Sequence, residues 1–176
     1  MKYFYLFAAA LSCSSCSGQD SDTAAQHFRQ SATIKLNGPV NDIFPLFGIM
    51  EEKKWSPDWN PTPVYPATGE IREGAVFRTP GHVHGESPLT WVITRYDRQN
   101  HAIVYTVVAA NRVIQIAVIC VSVAQNRTEA TITYDLTGLS AEGNIMSHHS
   151  ILKMFAHQLR DWQEAINSYL ARRDFQ

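Results

Sequence analysis

The sequence predicts a single α+β domain in which a curved seven-stranded antiparallel sheet wraps around one long C-terminal helix. Seven segments between residues 28 and 136 carry the two-residue alternation or the short apolar run of a strand. From Ala141 onward the apolar spacing changes to three and four residues, as in an amphipathic helix. Tight turns join consecutive strands, and this favours antiparallel neighbours because parallel strands need long crossovers. The length of 176 residues suits one domain.

The composition excludes several classes of protein. With 45% hydrophobic, 11% aromatic and 18% charged residues, the chain is too apolar and too aromatic for long disorder. Its net charge of −1 shows no basic excess that would attract phosphate groups, so we expect no nucleic-acid partner. A polytopic membrane protein is excluded as well, since no run of about 18 apolar residues occurs.

The first residues have the pattern of an export signal. A positive start at Lys2 precedes an apolar run from Tyr3 to Leu11, and small residues follow it. The run is too short to cross a bilayer, which takes roughly 20 residues. We assign residues 1–19 to this leader and the start of a tether, residues 20–27 to a linker, and residues 28–173 to the domain.

The cysteines of the leader favour one kind of signal. Cys16 follows the small residues, and this pattern resembles a bacterial lipoprotein signal, in which the cysteine becomes the acylated first residue. We predict lipidation at Cys16; Cys13, or a plain secretory cleavage near Ser17, is the alternative. The predicted location is the bacterial cell envelope, as a periplasmic protein or an outer-membrane lipoprotein, with a membrane contact only through the lipid.

The sequence of the N-terminal third of the domain predicts a strand, two short helical segments and a second strand. Alternating side chains over residues 28–36 indicate a half-buried strand. A short helix is expected from Val40 to Phe47, limited to about two turns because Pro45 cannot donate an interior hydrogen bond. A second helical turn follows Glu51, and a strand is expected near residues 62–65.

Five more strands and the long helix complete the prediction. Residues 113–123 are apolar at nearly every position, so alternation does not show which face of that strand points inward. The expected strands are Ala75–Thr79, Leu89–Thr94, Ala102–Ala110, Val113–Val123 and Ala130–Leu136. The helix, about thirty residues long and capped by Ser140 or Asn144, is expected to bury a stripe of Ile145, His149, Leu152, Phe155, Leu159, Trp162, Ile166 and Leu170.

This order of elements and several local segments resemble one known superfamily. The segments are Ile43–Gly48, Glu51–Trp55, Pro57–Pro61, Val64–Pro66, Gly74–Thr79, Thr90–Asp97 and Thr133–Ser140. They resemble a bacterial branch of the START/Bet v 1-like (SRPBCC) superfamily over nearly all of residues 31–170. The resemblance implies the helix-grip fold, with a deep cavity between sheet and helix. Relatives use that cavity to hold lipids, sterols, polyketides or plant hormones.

The side chains expected to bind a ligand follow from that cavity. Candidate wall residues are Phe77, Arg78, Trp91, Tyr105, Val107, Ile119, Tyr134, Leu152, Phe155 and Leu159. The alternative is that they pack as ordinary core, because protein interiors are close-packed. Arg78, Arg95, Arg112 and Tyr134 are candidates for contacts to a ligand head group, although exposure is the simpler expectation for the arginines because a buried unpaired arginine is costly. Trp55 and Trp59 are candidates for a lid, or for a cover over the base of the sheet.

Other chemistry has little support in the sequence. His82 and His84 have a possible two-ligand spacing, but zinc needs three or four ligands and no HExxH or CxxC pattern supplies them, so we predict no metal and no cofactor. No GxSxG motif is present. Cys120 lies in an apolar run and is expected to be an inert core thiol. Glu51 to Lys54 is interpreted as a solvated face.

These observations predict an exported carrier of a small apolar or aromatic molecule. A first alternative is an enzyme that resembles polyketide cyclases or aromatases and uses the same cavity, with Tyr105, Tyr134 and His84 as residues to test. A second is an envelope interaction protein with a packed core. Whether a reaction is catalysed, the identity of the ligand and the oligomeric state are left open by the sequence.

Overall fold

An antiparallel sheet forms the framework of the chain, which the computed structural model describes over residues 24–81 and 86–173. Seven described strands pair in the order β1-β7-β6-β5-β4-β3-β2, with every neighbouring pair antiparallel. The first strand therefore pairs with the last. The strands are β1 His27–Leu36, β2 Thr62–Tyr65, β3 Val76–Thr79, β4 Leu89–Asp97, β5 Ala102–Val108, β6 Arg112–Ala124 and β7 Arg127–Gly138.

Short helices follow β1, and one long helical stretch ends the chain. Helix α1, Val40–Ile43, continues directly as a 3₁₀ turn, Phe44–Phe47, because Pro45 cannot extend an α-helix. A second 3₁₀ turn spans Glu51–Lys54. At the C-terminal end, α2 (Ala141–Lys153), a π turn (Met154–Gln158) and α3 (Leu159–Arg173) run on without a break. We call this stretch, residues 141–173, the C-terminal helix.

The concave face of the sheet carries the core. Along β6 the buried residues are Arg112, Ile114, Ile116, Val118 and Cys120, whereas the residues between them are half-buried or exposed. The alternation shows which side chains of β6 point toward the core, a question that its uniformly apolar sequence left open. On the outer face, hydroxyl pairs link β1 to β7 through Ser31–Thr133 at 2.7 Å and Thr33–Thr131 at 3.0 Å.

The C-terminal helix differs from the predicted amphipathic stripe in its first half. Ile145 and Leu152, expected to be buried, are 60% and 53% exposed, while Asn144, Ser147 and Ile151 are buried instead. In the second half Leu159, Ile166 and Leu170 are buried as predicted. The π turn between the halves explains the difference. A π turn inserts one residue into an α-helix, so the face before it shifts by one position.

Both ends of the C-terminal helix are fixed to the rest of the domain. Ser140 caps its start, with its Oγ accepting from the Gly143 N–H at 3.1 Å. Asn144 does not cap the helix but holds the chain before β1: its Oδ1 accepts from Gln26 N–H, and its Nδ2 donates to the Ala24 carbonyl, each at 2.9 Å. At the other end Arg173 pairs with Asp42 at 2.9 Å.

The predicted fold class is confirmed. The described residues form an α+β helix-grip architecture, with a seven-stranded antiparallel sheet, a long C-terminal helix and short helices after the first strand. Within residues 24–81 and 86–173, no helix has the length and apolar character needed to cross a bilayer.

Candidate ligand-binding cavity

A cavity of about 460 Å³ lies between the sheet and the C-terminal helix. This volume falls within the range of about 300–1,000 Å³ that small-molecule sites occupy. The sheet, the segment after α1 and the C-terminal helix all contribute to its wall. The lining residues are Phe47, Glu52, Trp55, Ser56, Trp59, Leu89, Trp91, Tyr105, Val107, Arg112, Ile114, Ile116, Val118, Tyr134, Leu136, Met146, His149, Ser150, Lys153, Met154, Gln158 and Trp162.

Tryptophan and tyrosine rings dominate one side of the cavity. Trp91 makes edge-to-face contacts with Trp59, at 5.3 Å between ring centroids, and with Tyr105 at 5.9 Å. Trp55 makes a similar contact with Trp162 of α3 at 5.5 Å. Edge-to-face packing is a favoured geometry for aromatic pairs. We call Trp55, Trp59, Trp91 and Tyr105 the aromatic wall.

The polar atoms of the aromatic wall are bonded to the protein itself. Three of its members bind backbone groups of residues 46–49, and the fourth binds a threonine of β3. The bonds are Trp55 Nε1–H to Leu46 O (2.8 Å), Trp59 Nε1–H to Ile49 O (2.7 Å), Tyr105 O–H to Phe47 O (2.8 Å), Ile49 N–H to Tyr105 OH (3.0 Å) and Trp91 Nε1–H to Thr79 Oγ1 (3.0 Å). The rings therefore offer a bound molecule their carbon surfaces.

Glu52 is an acid at the edge of this wall. It lines the cavity together with Trp55, Ser56 and Trp59, which follow directly after the 3₁₀ turn that holds Glu52. In the described part of the chain, no hydrogen bond or ion pair reaches its carboxyl group. Its neighbour Glu51 is paired with Lys54 instead. Burial raises the pKa of Glu52 to about 8, so the acid is mainly uncharged at pH 7.

Tyr134 is the second polar group that faces the cavity. It lies on β7 opposite Ile116, and Phe155 packs edge-on against its ring at 6.1 Å. Burial raises the pKa of the Tyr134 hydroxyl, and the nearby Glu52 charge raises it further. Tyr134 is therefore a neutral hydroxyl that can donate or accept a hydrogen bond. Together, Glu52 and Tyr134 can hydrogen-bond a ligand and exchange a proton with it.

A buried ion pair also belongs to the cavity. Arg112 Nη2 lies 2.5 Å from Glu86 Oε1, and the two side chains are 3% and 8% exposed. Arg112 Nη1 donates to Asn111 Oδ1 at 3.0 Å and lies 3.5 Å from Met146 Sδ. Among the described residues, Arg112 Nε has no hydrogen-bond partner. The carboxylate of Glu86 compensates the charge that burial of Arg112 would otherwise leave unpaired.

The structure brings part of the predicted ligand site together. Trp91, Tyr105, Val107 and Tyr134 line the cavity, as do both lid candidates, Trp55 and Trp59. The lid role itself stays a prediction. Phe77 and Leu159 are fully or almost fully buried, and Phe155 is half-buried against Tyr134, but none of the three lines the cavity; they pack in the core.

Three predicted wall residues lie elsewhere, and each has a geometric reason. Arg78 is exposed because its neighbours on β3, Phe77 and Thr79, occupy the inner face. Ile119 is 48% exposed, since it has the outward parity on β6. Leu152 points outward because the π turn shifts the inner face of α2 by one residue.

The prediction missed several cavity residues. Glu52 was interpreted as part of a solvated charged segment, and the closely following Trp55 and Trp59 are the sequence signal that could have marked it as a cavity residue. Arg112 was a candidate for contacts to a ligand head group, with exposure as the simpler expectation; it is buried and lines the cavity, on the same face of β6 as Ile114 and Ile116. The C-terminal helix contributes His149, which belongs to the predicted inward stripe, and adds lining residues that were not expected there: Met146, Ser150, Lys153, Met154 and Gln158.

Some of the predicted positions lie outside the described residues. They are Cys13 and Cys16 of the leader and the histidines His82 and His84. Within the described ranges, no group of three or more histidine, cysteine, aspartate or glutamate side chains is placed to hold a metal ion. Cys120 is buried, and burial raises the pKa of its thiol to about 12, which keeps it protonated.

Known structures resemble this chain in fold although their sequences differ. Neither a protein-family model nor a curated protein matches the sequence. Norcoclaurine synthase from Thalictrum flavum, in complex with dopamine and hydroxybenzaldehyde, superposes with a TM-score of 0.59 at 7% identity, covering 98% of each chain. A Streptomyces aromatase/cyclase superposes with a TM-score of 0.58 at 16% identity, covering 85% of this chain and 96% of the other. An uncharacterized Rhizobium leguminosarum protein gives 0.59 at 11% identity, covering 85% and 98%.

The similar structures and the arrangement of the sheet and the C-terminal helix indicate the same fold. The chain has the Bet v 1-like (SRPBCC) helix-grip fold, and the resemblance seen in the sequence is confirmed at the level of the fold. In this fold the space between the sheet and the long helix is where the cavity of this chain lies.

Proposed function

We propose that the protein is a carrier that holds a small aromatic molecule between the sheet and the C-terminal helix. The observation that carries the proposal is the 460 Å³ cavity, which is lined by an aromatic wall whose polar atoms are bonded to the protein. Apolar pockets with a few placed polar groups are typical ligand sites. Norcoclaurine synthase, with the same fold, has been seen in complex with small aromatic molecules.

Filling the cavity is expected to abolish binding. Ile116 lines the cavity at the centre of the sheet, between Tyr105 on β5 and Tyr134 on β7. In Ile116→Trp the larger side chain takes the space of the guest. We expect the affinity for Nile red, a neutral aromatic dye, to fall at least about tenfold, a loss of roughly 1.4 kcal/mol. Fluorescence titration of the full chain measures this.

A matched control lies one residue away. Gln115 is on the same strand but is exposed on the outer face, so Gln115→Trp adds the same ring outside the cavity. This variant should bind Nile red as the wild type does. Unchanged binding by Ile116→Trp would show that the dye does not enter the cavity and would contradict the proposal. Native mass spectrometry of the wild-type chain then identifies any molecule that copurifies.

We further propose that the carrier is exported and anchored in the cell envelope through Cys16. The support is the sequence pattern of a charged start, a short apolar run and small residues before the cysteine. Fractionation of cells that express the full chain tests this location. The wild-type chain should be recovered with membranes, and Cys16→Ser should be released into the soluble envelope fraction. Recovery of both variants in the cytosol would contradict export.

A further inference from the structure

We propose that the ligand carries a positively charged ammonium group, which the carboxylate of Glu52 and the aromatic wall bind together. The inference rests on the proposed function, a cavity that takes small aromatic molecules, and it adds the chemical class of the guest. It follows from two features of the cavity: the ring surfaces of the wall, and an acid beside them that has no counterion.

The aromatic wall suits a cation. Trp55, Trp59, Trp91 and Tyr105 line the same cavity, and their N–H and O–H groups are used in bonds to the protein. What remains for a guest is aromatic surface, of which tryptophan binds cations best. Rings gathered in this way are the usual recognition element for methylated ammonium groups.

Glu52 supplies the negative charge. Two cations near it, one in sequence and one in the cavity, have other acids as partners, since Lys54 pairs with Glu51 and Arg112 pairs with Glu86. Within the described residues, no lysine, arginine or histidine nitrogen lies within the 4.0 Å of an ion pair from the Glu52 carboxylate. An acid in an apolar cavity is costly to ionise alone. A bound ammonium group would supply the missing counterion.

The other titratable groups that face the cavity come from each surrounding element. The C-terminal helix contributes His149 and Lys153, β6 contributes Arg112, β5 contributes Tyr105 and β7 contributes Tyr134. Burial and the Glu52 charge raise the pKa values of both tyrosines, so they stay neutral. Lys153 and Arg112 are the two lysine or arginine side chains among these groups. A variant of Glu52 alone separates the contribution of this acid from that of His149 and the other groups.

Ligand charge and the ionisation of Glu52 are then linked. Because burial raises the pKa of Glu52 to about 8, the empty cavity holds this acid mainly protonated at pH 6 and mainly ionised at pH 9. A permanent cation favours the ionised form, so it should bind more tightly as the pH rises. A neutral guest of the same shape has no such preference. The pH dependence thus distinguishes the two classes of ligand.

The test uses two probes that differ in charge and hardly in shape. Benzyltrimethylammonium is a permanent cation, and neopentylbenzene is its neutral carbon analogue. Displacement of Nile red from the full chain gives the affinity of each at pH 6 and at pH 9. We expect the cation to bind at least about tenfold more tightly at pH 9 than at pH 6, because the ionised fraction of Glu52 rises at least about tenfold over this range. Neopentylbenzene should bind equally at both.

Two variants identify the responsible group. Glu52→Gln should remove the pH dependence of cation binding, and neopentylbenzene should bind this variant with the same affinity at pH 6 as at pH 9. Glu51→Gln changes the adjacent, exposed acid and should behave as wild type. If the cation gains nothing with pH, or if its gain survives in Glu52→Gln, the ammonium proposal is overturned while the cavity proposal stands. If neither Nile red nor either of the two probes binds the chain, both proposals are overturned.

Discussion

Replacing Glu86 with alanine is expected to lower the free energy of unfolding by about 3–5 kcal/mol, the cost of breaking a buried ion pair by removing one partner. The substitution leaves the Arg112 guanidinium, 3% exposed, without its carboxylate. Its remaining bond to Asn111 cannot compensate the charge. Urea unfolding of the full chain, followed by tryptophan fluorescence, measures the loss.

Two further variants define the control. Arg95→Ala removes an ion pair with Asp97 that is exposed to solvent, and such pairs contribute at most about 1 kcal/mol. Arg112→Met combined with Glu86→Ala removes both charges, so the double variant should be more stable than Glu86→Ala alone. An effect of Glu86→Ala no larger than that of Arg95→Ala would mean that Arg112 is not charged and buried as described.

Phe77→Ala is expected to cost a similar amount, about 3–5 kcal/mol, for a different reason. The Phe77 ring has no exposed surface and lies in the core beside β4, so its removal leaves a void that the surrounding side chains cannot fill. The sequence had suggested that this ring contacts a ligand. The structure instead assigns it to stability, and urea unfolding is the measurement that checks it.

A pair of milder variants separates stability from binding. Phe77 and Trp91 are register partners on adjacent strands, but only Trp91 of the two lines the cavity. Phe77→Leu should therefore keep the wild-type affinity for Nile red, and Trp91→Leu should weaken it by removing ring surface from the aromatic wall. Equal losses of affinity in both variants would contradict the assignment of Phe77 to the core.

The elements of the fold were predictable because their signals are local. Alternation over residues 28–36 and the turn residues between later strands gave the strands close to their observed bounds. Pro45 correctly limited the first helix. The inward face of β6 could not be read from the sequence, because nearly every position of this strand is apolar and the one charged residue of the inward face, Arg112, would be expected to point outward. Burial of this arginine requires Glu86, 26 positions earlier, and no local pattern announces such a partner.

The cavity was predictable only in part because its wall depends on tertiary placement. Aromatic residues on the strands, such as Trp91 and Tyr134, were found since strand parity fixes their direction. On the helix side the predicted inward stripe contained only His149 and Trp162 of the lining residues, because the π turn changes the inward face of α2 without a sequence signal of its own. Glu52 was missed for another reason: a charged residue among charged neighbours is usually solvated, and only the adjacent tryptophans distinguish it.

The π turn has a genetic consequence. It holds one residue more than a continuous α-helix needs, so deletion of a single codon, such as that of Ala156, would restore regular winding. Residues 141–153 would then keep their orientation relative to α3, because the π turn already absorbs the extra residue. His149 and Lys153 would stay in the wall of the cavity. A deletion of three nucleotides in this turn is therefore expected to shorten the helix without changing which side chains contact the ligand.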